Sequence, residues 1–255
     1  MKSILFLICL DIAHVLVAQE KKSVTAELNK TSLEFTLDEN GSPHYAVYYN
    51  QKPVVLSSRL GFTLSNAPSL ENNFELLGSD KTTVDETWQP VWGEVSHIRN
   101  HYQQLTVRLK EKNPSHRQLT IVFRVFEDGV GFRYEFPKQP DLRYFVVSNE
   151  LTEFRLAGDH QSFWIPGDYD SNEYPYTTSK LSEIDAWKVS NAYKDIAVRV
   201  PQDQYAVQTP LMLKTADGLY INIHEAALVN YSSMQLRVDR KTFTLVEKSY
   251  KIRQK

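Results

Sequence analysis

The sequence predicts an all-β fold, a large sandwich of two antiparallel sheets, and three observations carry that prediction. Runs with period-two alternation of apolar and polar residues recur along the chain, separated by turn residues. Two Asp-Gly steps are each flanked by alternating segments. Helical periodicity is scarce, and the number of short strands favours a two-sheet sandwich.

The elements follow in order. Residues 33–37 alternate, residues 38–43 supply turn formers and residues 44–49 alternate again, which reads as a hairpin. Gln51-Lys52-Pro53 turns the chain once more into Val54-Val55-Leu56. Residues 105–109 and 119–126 alternate. Asp128-Gly129 then leads into Val130-Gly131-Phe132-Arg133-Tyr134-Glu135-Phe136, the strongest hairpin signal in the chain. Leu211-Met212-Leu213-Lys214, Asp217-Gly218 and Leu219-Tyr220-Ile221-Asn222-Ile223 repeat the device. A short helix is expected over residues 178–187, after Pro175, and a turn over residues 225–229.

The chain has 255 residues, a net charge of −2 and a single cysteine. Acids and bases are interspersed, which argues against nucleic acid or an anionic membrane as partner. Residues 1–18 read as a secretory signal peptide. Lys2 is followed by the apolar residues 4–10 and by 12–17, apolar but for His14, and Ala18 precedes Gln19 as a small residue for cleavage. The run is too short and too interrupted to span a membrane. Cleavage would remove Cys9, leaving a mature chain without disulfides or thiol chemistry, held by its core. Export to the periplasm or cell surface is the expected location.

Four segments could carry chemistry. Asp85-Glu86-Thr87-Trp88-Gln89-Pro90-Val91-Trp92-Gly93-Glu94 sets acids beside indoles, as sugar-handling proteins do, although a strand pair with two core tryptophans has the same composition. Ile98-Arg99-Asn100-His101-Tyr102 reads as a sheet edge with a satisfied histidine. Residues 163–174 place Asp168, Asp170 and Glu173 in a loop after an apolar strand. Oxygen ligands on a loop suit calcium, but calcium needs six to eight oxygens and no EF-hand register fits, so one or two carboxylates of a shared site, or a plain acidic loop, are the readings left. His224-Glu225 could form an acid–base pair, yet neighbouring strand residues point to opposite faces and no HExxH follows.

Together these segments closely resemble the N-terminal domain of glycoside hydrolase family 97. The matching residues are 85–94, 98–102, 128–136, Phe163-Trp164-Ile165-Pro166-Gly167-Asp168-Tyr169-Asp170, Leu181-Ser182-Glu183-Ile184 and 217–227, in order from about residue 25 to about residue 240. The resemblance implies a galactose-mutarotase-like β-supersandwich over residues 19–247 that packs on a (β/α)8 barrel bearing the catalytic carboxylates. It implies an α-glucosidase or α-galactosidase acting on α-linked oligosaccharides such as starch fragments or α-galactosides. It further implies a calcium ion at the active-site rim, with Glu173 as the ligand from this region. No catalytic residue falls within this chain. Residues 248–255 diverge from the family pattern and the barrel is expected to be missing, so activity alone is not expected. Residues 185–204 follow the α-glucosidase pattern poorly, which leaves glucoside and galactoside both open. An apolar surface meant for the barrel is expected to be exposed. The alternatives are a stand-alone carbohydrate-binding module using Trp88, Trp92 or Trp164, and a mutarotase using His224 and Glu225.

Overall fold

The computed structural model describes residues 23–201, 203–229, 231–247 and 252–254. The proposed signal peptide at residues 1–18 lies outside the described residues, as do residues 248–251 and 255 of the tail. The chain opens with a meander of β1 (Ser23–Leu28), β2 (Thr31–Leu37), β3 (Pro43–Tyr49) and β4 (Lys52–Arg59), paired in that order. Then come β5 (Phe62–Leu64), β6 (Phe74–Trp88), β7 (Ile98–Glu111), β8 (Gln118–Val125) and β9 (Val130–Glu135), the last four forming a second meander. The second half contains β10 (Phe145–Glu150), β11 (Glu153–Arg155), β12 (Gln161–Trp164), β13 (Thr177–Lys180), the helix α1 (Ala186–Ala192) and β14 (Ala206–Gln208). It continues through β15 (Leu211–Lys214), β16 (Tyr220–Ile223), β17 (Gln235–Asp239), β18 (Thr244–Glu247) and β19 (Ile252–Gln254).

Alternation decides which faces meet. On β2 the buried residues Leu33 and Phe35 point one way, and on β7 and β8 Leu105, Val107, Leu109, Leu119, Ile121 and Phe123 are fully buried. These side chains make the first core, between the β1–β4 meander and the β6–β9 meander. Phe123 lies at the centre, with its ring near Phe35, Tyr45 and Phe132. The second core lies between the sheet β11-β18-β17-β14 and the sheet β13-β12-β15-β16, and buries Trp164, Leu211, Leu213, Leu236, Val238 and Leu245. A bridge between Val55 and Leu156 joins β4 to the β11 side, so the two halves share a layer. The all-β sandwich predicted from the alternation is what the chain adopts.

The Asp-Gly signals land where expected. Phe126 N–H donates to Gly129 O (2.8 Å) at the β8–β9 turn, and Thr215 N–H donates to Leu219 O (2.9 Å) at the β15–β16 turn, where Gly218 takes φ of 88°. The helix expectation is corrected. Residues 177–180 are a strand instead, because the β-branched Thr177 and Thr178 pair with Trp164 and Phe163 on β12. The helix starts later, where Asp185 caps it by accepting from Lys188 N–H (2.9 Å). Residues 224–229 are irregular.

Two further features bear on function and stability. β6 and β7 pair along their full length, but β8 covers β7 only from Gln103 to Lys110. The pairs from Val84–Tyr102 to Trp88–Ile98 therefore project as a two-stranded arm, about 17 Å long at about 3.3 Å per residue. At the other end of the hairpin, Arg117 and Glu111 form a buried bidentate ion pair (2.6 and 2.7 Å), and Arg117 also donates to Pro68 O and Ser69 O.

Candidate functional site

The segment after β12 is built around Asp168. Gly167 must approach Ala206 closely: its N–H donates to Ala206 O (2.8 Å), and a Cβ there would lie 2.7 Å from the Ala206 Cβ. That contact turns the chain so that Asp168 is carried inward, with 3% of its surface exposed. Its Oδ1 accepts from Asp170 N–H (2.9 Å) and Ser171 N–H (3.3 Å), and its Oδ2 accepts from the Tyr174 hydroxyl (2.7 Å) and Val200 N–H (2.7 Å). The Asp168 carbonyl accepts from Gln208 Nε2 (3.1 Å) and Gln235 Nε2 (2.8 Å). One side chain and its carbonyl thus tie the loop to residues 200, 208 and 235.

Tyr174 completes the frame by joining Asp168 to Ser190 of α1 (3.0 Å). Burial pushes its phenol above the ordinary tyrosine range; the Ser190 contact works against this and acceptance by Asp168 adds to it. At the start of α1, burial alone would raise the Asp185 carboxyl. The N–H of Lys188 and the amide of Gln204 outweigh burial and hold it below the usual carboxylate range.

Within this frame Glu173 is exposed. Its backbone N–H donates to Ser171 Oγ (3.2 Å), which fixes the turn while leaving the carboxylate at the surface. Asp170 is exposed as well. Apolar side chains flank them: Tyr169, Tyr176, Trp187 and Val200 all lie on the surface. Tyr169 N–H donates to Val200 O, and the Trp187 indole donates to Pro201 O, so this surface belongs to the same frame. Chemically, the loop offers the exposed carboxylates of Asp170 and Glu173, on a surface that also carries rings able to stack on a sugar or pack on a protein face.

This donor set does not make a calcium site by itself. The Asp168 oxygens are already taken by four donors, and no cluster of three or more metal-ligating side chains occurs among the described residues. With Asp170 and Glu173 exposed, the loop can supply one or two carboxylates to a site completed by other groups.

The other segments have other roles. In residues 85–94 two of the acids are engaged across the arm: Asp85 takes Arg99 bidentately (2.7 and 2.7 Å), and Glu86 accepts from Asn100 (2.8 Å). The Arg99 hydrogen bonds hold the Asp85 carboxyl below its usual range. His101 stands opposite Asp85 in the same ladder. The core-tryptophan reading of this motif is corrected, because Trp88 (49% exposed) and Trp92 (87%) sit at the arm and its tip. Pro90 ends the strand before the tip, so the second ring falls outside the ladder. Trp164 is the reverse: 1% exposed, with its indole donating to Ser179 Oγ (3.0 Å), it is core and not a stacking platform. His224 lies beyond the end of β16, exposed, with Nδ1 against its neighbour's carbonyl (3.1 Å), so His224 and Glu225 make no side-chain pair.

The long-range members of the site were not visible in the sequence. Gln208, Gln235, Val200 and Trp187 carry no local motif; only the fold brings them to Asp168 and its loop.

Comparison with known proteins identifies the fold further. The glycosyl-hydrolase 97 N-terminal family model matches residues 26–253. The retaining alpha-galactosidase of Bacteroides thetaiotaomicron is 26% identical over 249 residues, covering 92% of this chain and 33% of the relative. A glycoside hydrolase family 97 enzyme from Pseudoalteromonas sp. strain K8, solved with acarbose, superimposes with a TM-score of 0.74 at 27% identity, over 90% of this chain and 34% of that one. A beta-arabinopyranosidase structure aligns with a TM-score of 0.73 at 20% identity, over 88% of this chain and 35% of that one, a likeness of fold alone. The chain thus spans about a third of the length of these relatives. By the match over residues 26–253, the chain belongs to the glycosyl-hydrolase 97 N-terminal family.

Proposed function

We propose that this chain serves as the N-terminal β-sandwich of a secreted α-glycoside hydrolase, of α-glucosidase or α-galactosidase type, and acts on α-linked oligosaccharides only as part of the whole enzyme. The observation that carries the reading is the loop built on Asp168, which spends four hydrogen bonds to hold Glu173 exposed beside Tyr169, Tyr176 and Trp187. In this reading the apolar surface packs on the catalytic barrel, and Glu173 is one ligand of a calcium ion whose other ligands come from that barrel. Calcium would supply positive charge at the sugar-binding rim; the work of this chain is to place one carboxylate there and to shield the rim from water. Glycoside hydrolysis requires two carboxyl groups flanking the bond, and these are assigned to the barrel.

The purified chain should therefore release no p-nitrophenol from the aryl α-glucoside or the aryl α-galactoside. Release that disappears on Glu173→Ala would overturn the assignment.

The exposure of Trp88 and Trp92 favours one second reading, a free-standing carbohydrate-binding module with its platform on the arm. Val91 and Val95 are exposed between and beside the rings, and Gln89, Glu94, Ser96 and His97 are exposed there as well, so the tip mixes apolar and polar surface as a protein interface does. Tryptophan fluorescence during titration with maltooligosaccharides separates the two, since only the module gives saturable quenching that Trp92→Ala removes.

A further inference from the structure

A cleft of 880 Å³ opens between the β3–β4 turn, the segment joining β11 to β12 and the β15–β16 turn. It shares no lining residue with the Glu173 loop. Its floor follows from strand register. Lys180 on β13 stands opposite Gln161 on β12, Gln161 stands opposite Lys214 on β15, and Lys214 stands opposite Tyr220 on β16. Directly opposed residues project from the same face of a sheet. The next positions, Ser162 and Leu213, are fully buried, so the Lys180-Gln161-Lys214-Tyr220 row faces outward.

The charges of the cleft are unevenly matched. Lys52 Nζ binds Asp217 Oδ2 (2.9 Å) and ties the β3–β4 turn to the β15–β16 turn, closing one end. Asp159 accepts from the Ser182 N–H (3.0 Å) and hydroxyl (2.7 Å), neutral donors that leave its charge in place, so the cleft sets three lysines against two carboxylates. Lys180 and Lys214, by contrast, enter no ion pair among the described residues. Lys214 is positioned over the Tyr220 ring (5.2 Å). The two lysine α-carbons are about 10 Å apart, two strand spacings, with the Gln161 amide between them. Burial keeps the His160 imidazole below its ordinary pKa, which makes it a neutral hydrogen-bonding group on the wall near neutral pH.

Two lysines without ion-pair partners rise from one outward row on either side of Gln161, and a carboxylate with hydroxyls around it matches a face of that kind. Asn50 adds a polar contact for hydroxyls, and Tyr49 and Leu219 supply apolar wall for a pyranose face. The volume falls within the range of about 300–1,000 Å³ typical of small-ligand sites. Nucleic acid is a poor match, since its repeating phosphates call for a basic stripe and the chain carries a net charge of −2. We propose that this cleft is an accessory site for an acidic oligosaccharide, binding a uronate carboxylate between Lys180 and Lys214. It stands independently of the role given to Glu173.

Calorimetric titration of the purified chain with trigalacturonate and with triguluronate tests this, with maltotriose and inorganic phosphate as controls. Saturable binding of one of the uronates is expected, at least about tenfold tighter than either control. Lys180→Ala and Lys214→Ala should each weaken it about tenfold, and added salt should weaken it further, as for exposed ionic contacts. The proposal is overturned if neither uronate binds saturably, if phosphate alone binds as well, or if the Lys180→Ala/Lys214→Ala double variant binds unchanged while its circular dichroism matches the parent.

Discussion

Replacing Asp168 with asparagine probes the frame that presents Glu173. The change keeps the side-chain size but swaps one acceptor oxygen for an NH2 group, and three of the four neighbours are backbone N–H groups that can only donate, the fourth being the Tyr174 hydroxyl, which can also accept. If the amide nitrogen takes the Oδ2 position it faces Tyr174 and Val200 N–H; in the Oδ1 position it faces Asp170 and Ser171 N–H. In the Oδ2 position the Tyr174 hydroxyl can reverse, accept from the amide and donate to Ser190, so at least the Val200 hydrogen bond is lost, worth about 1.5–3 kcal/mol of local stability. At 1.4 kcal/mol per tenfold, even the lower figure raises the opening equilibrium by about one power of ten. Amide hydrogen exchange reads this directly. Protection at Ser171 and Val200 should fall by about tenfold or more, while Val107 and Ile121 in the first core should keep theirs. Unchanged protection at Ser171 and Val200 would refute the view that Asp168 holds the loop.

Other consequences are equally concrete. Arg117→Ala leaves the Glu111 carboxylate buried without its cation and should cost about 3–5 kcal/mol in urea unfolding; a loss below about 1 kcal/mol would mean that the pair is solvated. Trp164→Ala should cost about 3–5 kcal/mol because the ring fills the second core. Trp92→Ala should stay within about 0.5 kcal/mol of the parent, and equal effects would contradict the assigned burial. The Thr215 hydroxyl and then Lys52 lower the Asp217 carboxyl to about 2. A carboxyl depressed on folding contributes stability that is present above its unfolded value near 3.8 and lost as pH falls through about 2. Thr215→Val should move the NMR-detected midpoint of Asp217 up toward 3.8, and an unmoved midpoint would remove Thr215 as the cause.

Local chemistry made the hairpins legible. Asp128-Gly129 and Asp217-Gly218 require only their own turns and the alternation beside them. The helix was less so: residues 178–187 carry a helical spacing, but pairing with β12 claims the first of them, and the Asp185 cap sets the actual start. The tryptophans divide for a reason outside their own segments. Trp164 lies on a strand covered on one face, whereas Trp88 lies on an arm that has outrun β8. Asp168 was singled out as one of three loop acids and proved to be the loop's anchor. Its partners come from Val200, Gln208 and Gln235, separated from it by 32, 40 and 67 residues, so no spacing rule could join them.

Calorimetric titration of calcium into the purified chain tests most directly the claim that this sandwich supplies one ligand to a shared site. Two exposed carboxylates, Glu173 and Asp170, fall well short of the six to eight oxygens that calcium takes, which predicts no saturable binding at micromolar calcium. Micromolar affinity that is lost on Glu173→Ala or Asp170→Ala would contradict the account, because the loop would then be a complete site by itself.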